Sequence, residues 1–277
     1  MSAFGNLPRI DLSSRDGKST ATILLHGATI VSFRKAEREL LFLSSKAVFD
    51  GTKAIRGGVP ICFPLFGPPP TGSLLTQHGF ARSMPWRVVS RASPGHVVLE
   101  LRANDATRAV WPHEFVATYS VELSDSALSV RFGVENVGAS PFEFTFCWHA
   151  YVAVTDVDRA RVRGVGGLEF VDNAANRVTR TQPPGDLRIE AKTDSIFIDA
   201  PAVVELHDEG RAAVRVASTN TNNVIVWNPF DADAAKMADL GAGEWRKFVC
   251  VEPAHTLPRG FRVAAGQRVE SAHSISA

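Results

Sequence analysis

The sequence predicts an all-β protein. Short stretches of alternating apolar and polar residues recur along most of the chain, long helical patterns are missing, and proline and glycine crowd into one long connecting stretch. The residues ATILLHGATIVSF (21–33) read as two strands with a turn at His26-Gly27, and RVVSRASPGHVVLELRA (87–103) reads as a hairpin through Ser93-Pro94-Gly95. The clearest pattern lies in FVATYSVELSDSALSVRFGVEN (115–136). There Tyr119, Val121 and Leu123 alternate with Ser120 and Glu122, then Leu128, Val130, Phe132 and Val134 alternate with Ser129, Arg131 and Gly133. An antiparallel meander follows from this.

Further strands are expected at 142–154, 195–199, 202–207, 212–218, 223–227 and 246–252, with one short helix, DADAAKMADL (231–240), inserted between two of them. No internal repeat and no low-complexity linker divides the 277 residues, so a single domain over 1–277 is expected. The stretch 56–86 is too long to be an idle loop in a compact domain, and its Arg, Gln and His residues mark it as part of a binding site.

Composition narrows the function. Lys plus Arg number 30 against 29 Asp plus Glu, so no overall field attracts nucleic acid or a charged membrane. Cys62, Cys147 and Cys250 are odd in number and widely spaced, which suggests neither a disulfide framework nor a zinc site and fits a reducing compartment. With no signal-like N-terminus and no long apolar run, a cytoplasmic protein is expected, and with no coiled-coil pattern or extra edge element, a monomer. The eight histidines form no H-x-H or H-x-x-x-H pair, and neither G-x-S-x-G nor a glycine-rich loop opening a helix occurs. No metal and no organic cofactor is therefore expected.

Three polar positions interrupt apolar segments. In FEFTFCWHAYVAV (142–154), Phe142, Phe144, Phe146 and Trp148 share one face, and His149 lies on the other with Glu143, Thr145 and Cys147. In KFVCVEPAH, Glu252 shares a face with Phe248 and Cys250, and Pro253 is expected to end the strand. The third position is the loop pair Arg56 and Gln77-His78-Gly79-Phe80-Ala81-Arg82. Each has an ordinary structural reading: a hydrogen-bonded histidine, a strand-end glutamate, surface arginines.

The segments IRGGVPICFPLFGP (55–68), QHGFAR (77–82), ENVGASPFEFTFCWHAYVAV (135–154), TDSIFID (193–199), VIVWNPF (224–230) and FVCVEPA (248–254) occur in this order. As a set they resemble the aldose 1-epimerase (mutarotase) superfamily, and within it the hexose-6-phosphate mutarotases, over about residues 20–270. The resemblance implies a β-supersandwich of two large antiparallel sheets with short helical insertions. It implies His149 as catalytic acid, Glu252 as catalytic base, and Arg56, Gln77, Arg82 and Asp194 as substrate contacts, with His78 a second histidine near the sugar. One departure is local: Ser195-Ile196-Phe197 follows Asp194 where relatives often carry Arg and an aromatic residue.

The chemistry fits those residue types. Opening a pyranose hemiacetal removes the C1 hydroxyl proton while delivering one to the ring oxygen, so an acid and a base must flank C1. Arg56 and Arg82, at either end of the long loop, are the expected grip on a 6-phosphate, which an arginine pair can hold bidentately. Trp227 reads as a core residue more than as a platform for the sugar. The rival readings are a mutarotase for free aldoses, which has no use for the arginine pair, and a non-catalytic carbohydrate-binding β-sandwich, which needs no acid and base.

Overall fold

A computed structural model describes residues 4–256 and 259–277. Two eight-stranded antiparallel sheets dominate it, joined by a four-stranded sheet built from residues 9–39 and by the pair Phe142–Phe144 with Phe261–Val263. One large sheet runs in the order Val178–Thr181, Glu169–Asp172, Thr193–Ile198, Asn223–Asn228, Phe248–His255, Phe146–Trp148, Ile61–Cys62, with Tyr151–Ala153 also paired to Phe248–His255. It forms the floor of a cleft and is called the cleft sheet below. The other, the backing sheet, contains the meander of Arg87–Ser93, His96–Arg102, Phe115–Leu123 and Ala127–Asn136, and continues through Arg268–Ser276, Val214–Thr219, Val203–Asp208 and Ala160–Arg163. The expected two-sheet, all-β architecture is thus the one found.

The sheets meet through aromatic rings. Phe146 of the cleft sheet stacks on Phe132 of the backing sheet with centroids 4.4 Å apart, and Trp148 Nε1 donates to the Tyr119 hydroxyl at 2.7 Å. All four side chains are buried. Each contributes roughly 1.5–3 kcal/mol of apolar burial, so the strand that ends at His149 is firmly fixed from behind.

The expected strand 142–154 is in fact three short ones, Phe142–Phe144, Phe146–Trp148 and Tyr151–Ala153. The break falls at Thr145, whose N–H donates to Pro64 O while its hydroxyl accepts from Phe66 N–H. The aromatic face is buried as expected, but from Thr145 onward the other face is buried too. The stretch 56–86 runs antiparallel alongside 145–151, with His149 N–H donating to Pro60 O and Tyr151 N–H to Gly58 O, and the His78 ring, packed on Phe66, meets His149 on that face. Only Ile61–Cys62 pairs there as strand, because Pro60 and Pro64 have no N–H to return.

Close backbone approach holds this stretch down. Gly79 has φ +68, and a Cβ there would stand 2.2 Å from Phe63 O. Its neighbour His78 also adopts a left-handed backbone, φ +64, clamped by its own N–H to Gly67 O and by Gly67 N–H to His78 Nδ1.

Two other expectations change. The helix of the 231–240 insertion covers only Phe230–Ala234 before turns take over. Pro253 does not end its strand, which runs on to His255. Val251 N–H donates to Ala150 O, so the next N–H on that edge would belong to residue 253, opposite the gap between Phe146–Trp148 and Tyr151–Ala153. A proline is tolerated there because no ladder bond is lost.

Candidate active site

The cleft encloses about 550 Å³ and is lined by every residue singled out from the sequence: Arg56, Gln77, His78, Arg82, His149, Asp194 and Glu252. Its floor is the outward face of the cleft sheet. Strand alternation brings Cys147 and Glu252 up on neighbouring strands, and His149 follows directly after Trp148. The stretch 56–86 forms one wall, and the residues after Glu169–Asp172 form the opposite one.

His149 Nδ1 and Glu252 Oε1 stand 3.4 Å apart with both side chains almost wholly buried, yet the angle makes no hydrogen bond and neither atom has another partner. Glu252 Oε2 accepts from the Cys147 thiol at 3.1 Å. The His149 ring stacks on Tyr151 at 4.8 Å and meets the edges of His78 and Trp227 at 5.7 and 5.9 Å. Burial pushes the Glu252 carboxyl well above its ordinary range, only partly opposed by the Cys147 bond. Burial pushes His149 well below the ordinary imidazole range, helped by the positive charges of Arg82 and Arg56. The pair therefore holds a single proton between its members over a wide span of pH.

The arginines differ. Arg56 donates to the Tyr151 hydroxyl at 2.9 Å and pairs with Asp239 at 3.1 Å, contacts that hold it firmly charged. Arg82 bonds only to the Gln77 carbonyl, at 2.8 Å, and has no carboxylate partner among the described residues. Opposite it in the cleft wall is Arg177, which the sequence reading missed. Its Nη1 donates to Asn173 Oδ1 at 3.0 Å, and Asn173 Nδ2 in turn donates to Asp194 Oδ1 at 3.1 Å. Burial raises the Asp194 carboxyl, with the Asn173 bond opposing. Arg177 is the second of two consecutive left-handed residues, after Asn176, in the turn that follows the strand Glu169–Asp172, a place that periodicity cannot flag.

Asp239 was also missed, since only the folded insertion brings it to Arg56. Trp227 lines the cleft, half-buried, where the sequence favoured a core position. All three cysteines are buried around the cleft floor, Cys62 and Cys147 opposite each other on paired strands. His149, Cys250 and Glu252 bring one nitrogen, one sulfur and one oxygen atom within 4.8 Å of one another.

The family model for aldose 1-epimerase matches residues 9–276. The chain belongs to that family. A protein of Cenchrus ciliaris named "Putative glucose-6-phosphate 1-epimerase" is 36% identical over 84% of this chain and 74% of its own length. An Escherichia coli K12 protein of the same name is 31% identical over 85% of this chain and 79% of its own. The crystal structure of a "putative mutarotase" from Salmonella typhimurium superposes with a TM-score of 0.88 at 28% identity, over 98% of this chain and 90% of that one. The two-sheet architecture agrees with that superposition.

Proposed function

We propose that the chain interconverts the α and β anomers of a hexose 6-phosphate, acting as one domain, with Glu252 as base and His149 as acid. The observation that carries this is the 3.4 Å approach of two buried, unpartnered proton-exchanging atoms on the floor of a sugar-sized cleft. The C1 hydroxyl oxygen and the ring oxygen are bonded to the same carbon, so the groups that serve them must themselves be close neighbours.

Glu252 takes the C1 hydroxyl proton as His149 gives one to the ring oxygen, and the bond from C1 to that oxygen breaks. The open aldehyde turns about C1–C2 and recloses. The proton on the former ring oxygen then returns to His149 and that on Glu252 to the carbonyl oxygen, so the site ends as it began. Trp227 walls the ring, and Asp194, steadied by Asn173, faces the hydroxyls.

The phosphate is supported by Arg82 and Arg177, cleft arginines without a carboxylate among the described residues, beside the partly neutralised Arg56. It also bears on the acid. A dianion beside Arg56 and Arg82 offsets the charges that drive the proton off His149, so the phosphorylated substrate charges the acid that opens it. The names carried by the relatives agree with this substrate. Among the described residues no helix is long and apolar enough to cross a membrane, and three free buried cysteines fit a reducing, cytoplasmic setting.

The test is anomer exchange measured by NMR with glucose 6-phosphate and with glucose. The expected result is acceleration of the phosphorylated sugar well above the spontaneous rate, with the preference over glucose lost in Arg82→Ala. Equal rates on both sugars, or an Arg82→Ala preference equal to wild type, would refute the phosphate reading and favour a free-aldose mutarotase. No acceleration of either sugar would leave a carbohydrate-binding protein.

A further inference from the structure

Cys62, Cys147 and Cys250 are far apart in the chain, yet all three are fully buried around the cleft floor. Cys62 and Cys147 face each other on neighbouring strands, and Cys250 lies two residues before Glu252 on the same strand face. Among the described residues, the one hydrogen bond to the Glu252 carboxylate comes from Cys147, at 3.1 Å to Oε2, while Oε1 stays unpartnered beside His149.

We propose that Cys147 is a positioning residue for the base: by occupying Oε2 it fixes the plane of the carboxylate and reserves Oε1 for the C1 hydroxyl. This rests on the reading of Glu252 as proton acceptor. A thiol suits the task because it is a weak donor. An arginine or lysine at that position would hold the carboxylate ionised but strip it of basicity, whereas a methyl group would leave it free to turn. The other groups facing Glu252 are His149, Cys62 from Ile61–Cys62, Asp194 from Thr193–Ile198 and Cys250 on its own strand. None of them is a fixed cation, so the Cys147 bond is what steadies the charged form.

The pH profile of kcat/KM isolates this role. With one proton shared by the pair, the productive arrangement puts it on His149 and leaves Glu252 ionised. Removing the thiol makes Glu252 more basic. In Cys147→Ala the alkaline limb therefore moves up by about half a unit to one unit, and the plateau falls by the matching factor, about three- to tenfold. Cys147→Ser restores both, and Cys250→Ala, which removes a neighbouring buried thiol without touching Oε2, moves neither limb.

A lowered plateau with the limb unmoved, or a Cys147→Ser profile matching Cys147→Ala, would reduce Cys147 to packing and overturn the proposal. A raised limb with a raised plateau would uphold the contact but reverse acid and base, so failure of the underlying reading is seen separately. The contact also has a readout needing no cysteine variant. One of the three S–H stretching bands in the infrared spectrum should shift between wild type and Glu252→Gln, and three unmoved bands would overturn the proposal.

Discussion

Two buried histidines lie on opposite sides of one short strand. His149 follows Phe146–Trp148 into the cleft, and His273, from the backing sheet, stacks against Phe146 and Trp148 at 5.3 and 5.5 Å on the core side. Burial pushes both imidazoles down, His273 to about 3. Their surroundings separate them. His273 faces aromatic rings and the Ser271 hydroxyl at 3.0 Å, with no carboxylate beside it among the described residues, while His149 faces the one glutamate buried in the cleft floor and the charges of two arginines. A depressed imidazole therefore marks only a dry site, and it becomes chemistry when a second titratable group and an open cleft share it.

The largest expected contrast is between these two residues. His149→Asn should lower kcat/KM by about 10²–10⁴-fold, while His273→Leu leaves it unchanged, measured in the same exchange assay. Equal losses in both variants would mean that His149 also acts through packing. The ring between them comes next: Phe146→Ala should cost roughly 3–5 kcal/mol in urea unfolding, because it removes the stack on Phe132 and the support beneath His149. A smaller effect is expected in the wall formed by 56–86, where Gly79→Ala should cost about 1–3 kcal/mol, since the added Cβ meets Phe63 O and the backbone is left-handed. Its activity loss should exceed its stability loss, because His78 and Arg82 move with it.

The subtlest test uses pH. With His149 held low and Glu252 held high, kcat/KM should be flat across neutrality, falling below the ordinary imidazole range as the pair gains a second proton and falling on the alkaline side as Glu252 loses its own. A narrow bell centred between ordinary glutamate and histidine values would show that the floor is wetter than its burial implies.

The backing sheet was easy to read because one face meets water. Phe115–Leu123 and Ala127–Asn136 alternate cleanly, and their bounds match the pattern. Arg268–Ser276 was missed because its inward positions include small or polar Ser271 and His273. The cleft sheet is covered on both sides, so Phe248–His255 reads as an unbroken apolar run, and only its exception, Glu252, could be picked out. His149 and Glu252 were legible as polar residues where none belonged. Arg177, Asp239 and the gathering of three cysteines were not, because each depends on turns or cross-strand neighbours that one-dimensional periodicity does not encode.

The central claim is that the buried pair moves protons at C1, and Glu252→Gln tests it most directly. The substitution keeps the shape of the side chain and removes a group whose charged form is disfavoured by burial, so thermal stability at neutral pH should stay equal or rise. In magnetisation-exchange NMR on glucose 6-phosphate, the folded variant is predicted to interconvert the anomers no faster than buffer alone. Exchange at the wild-type rate by a folded Glu252→Gln protein would contradict the account.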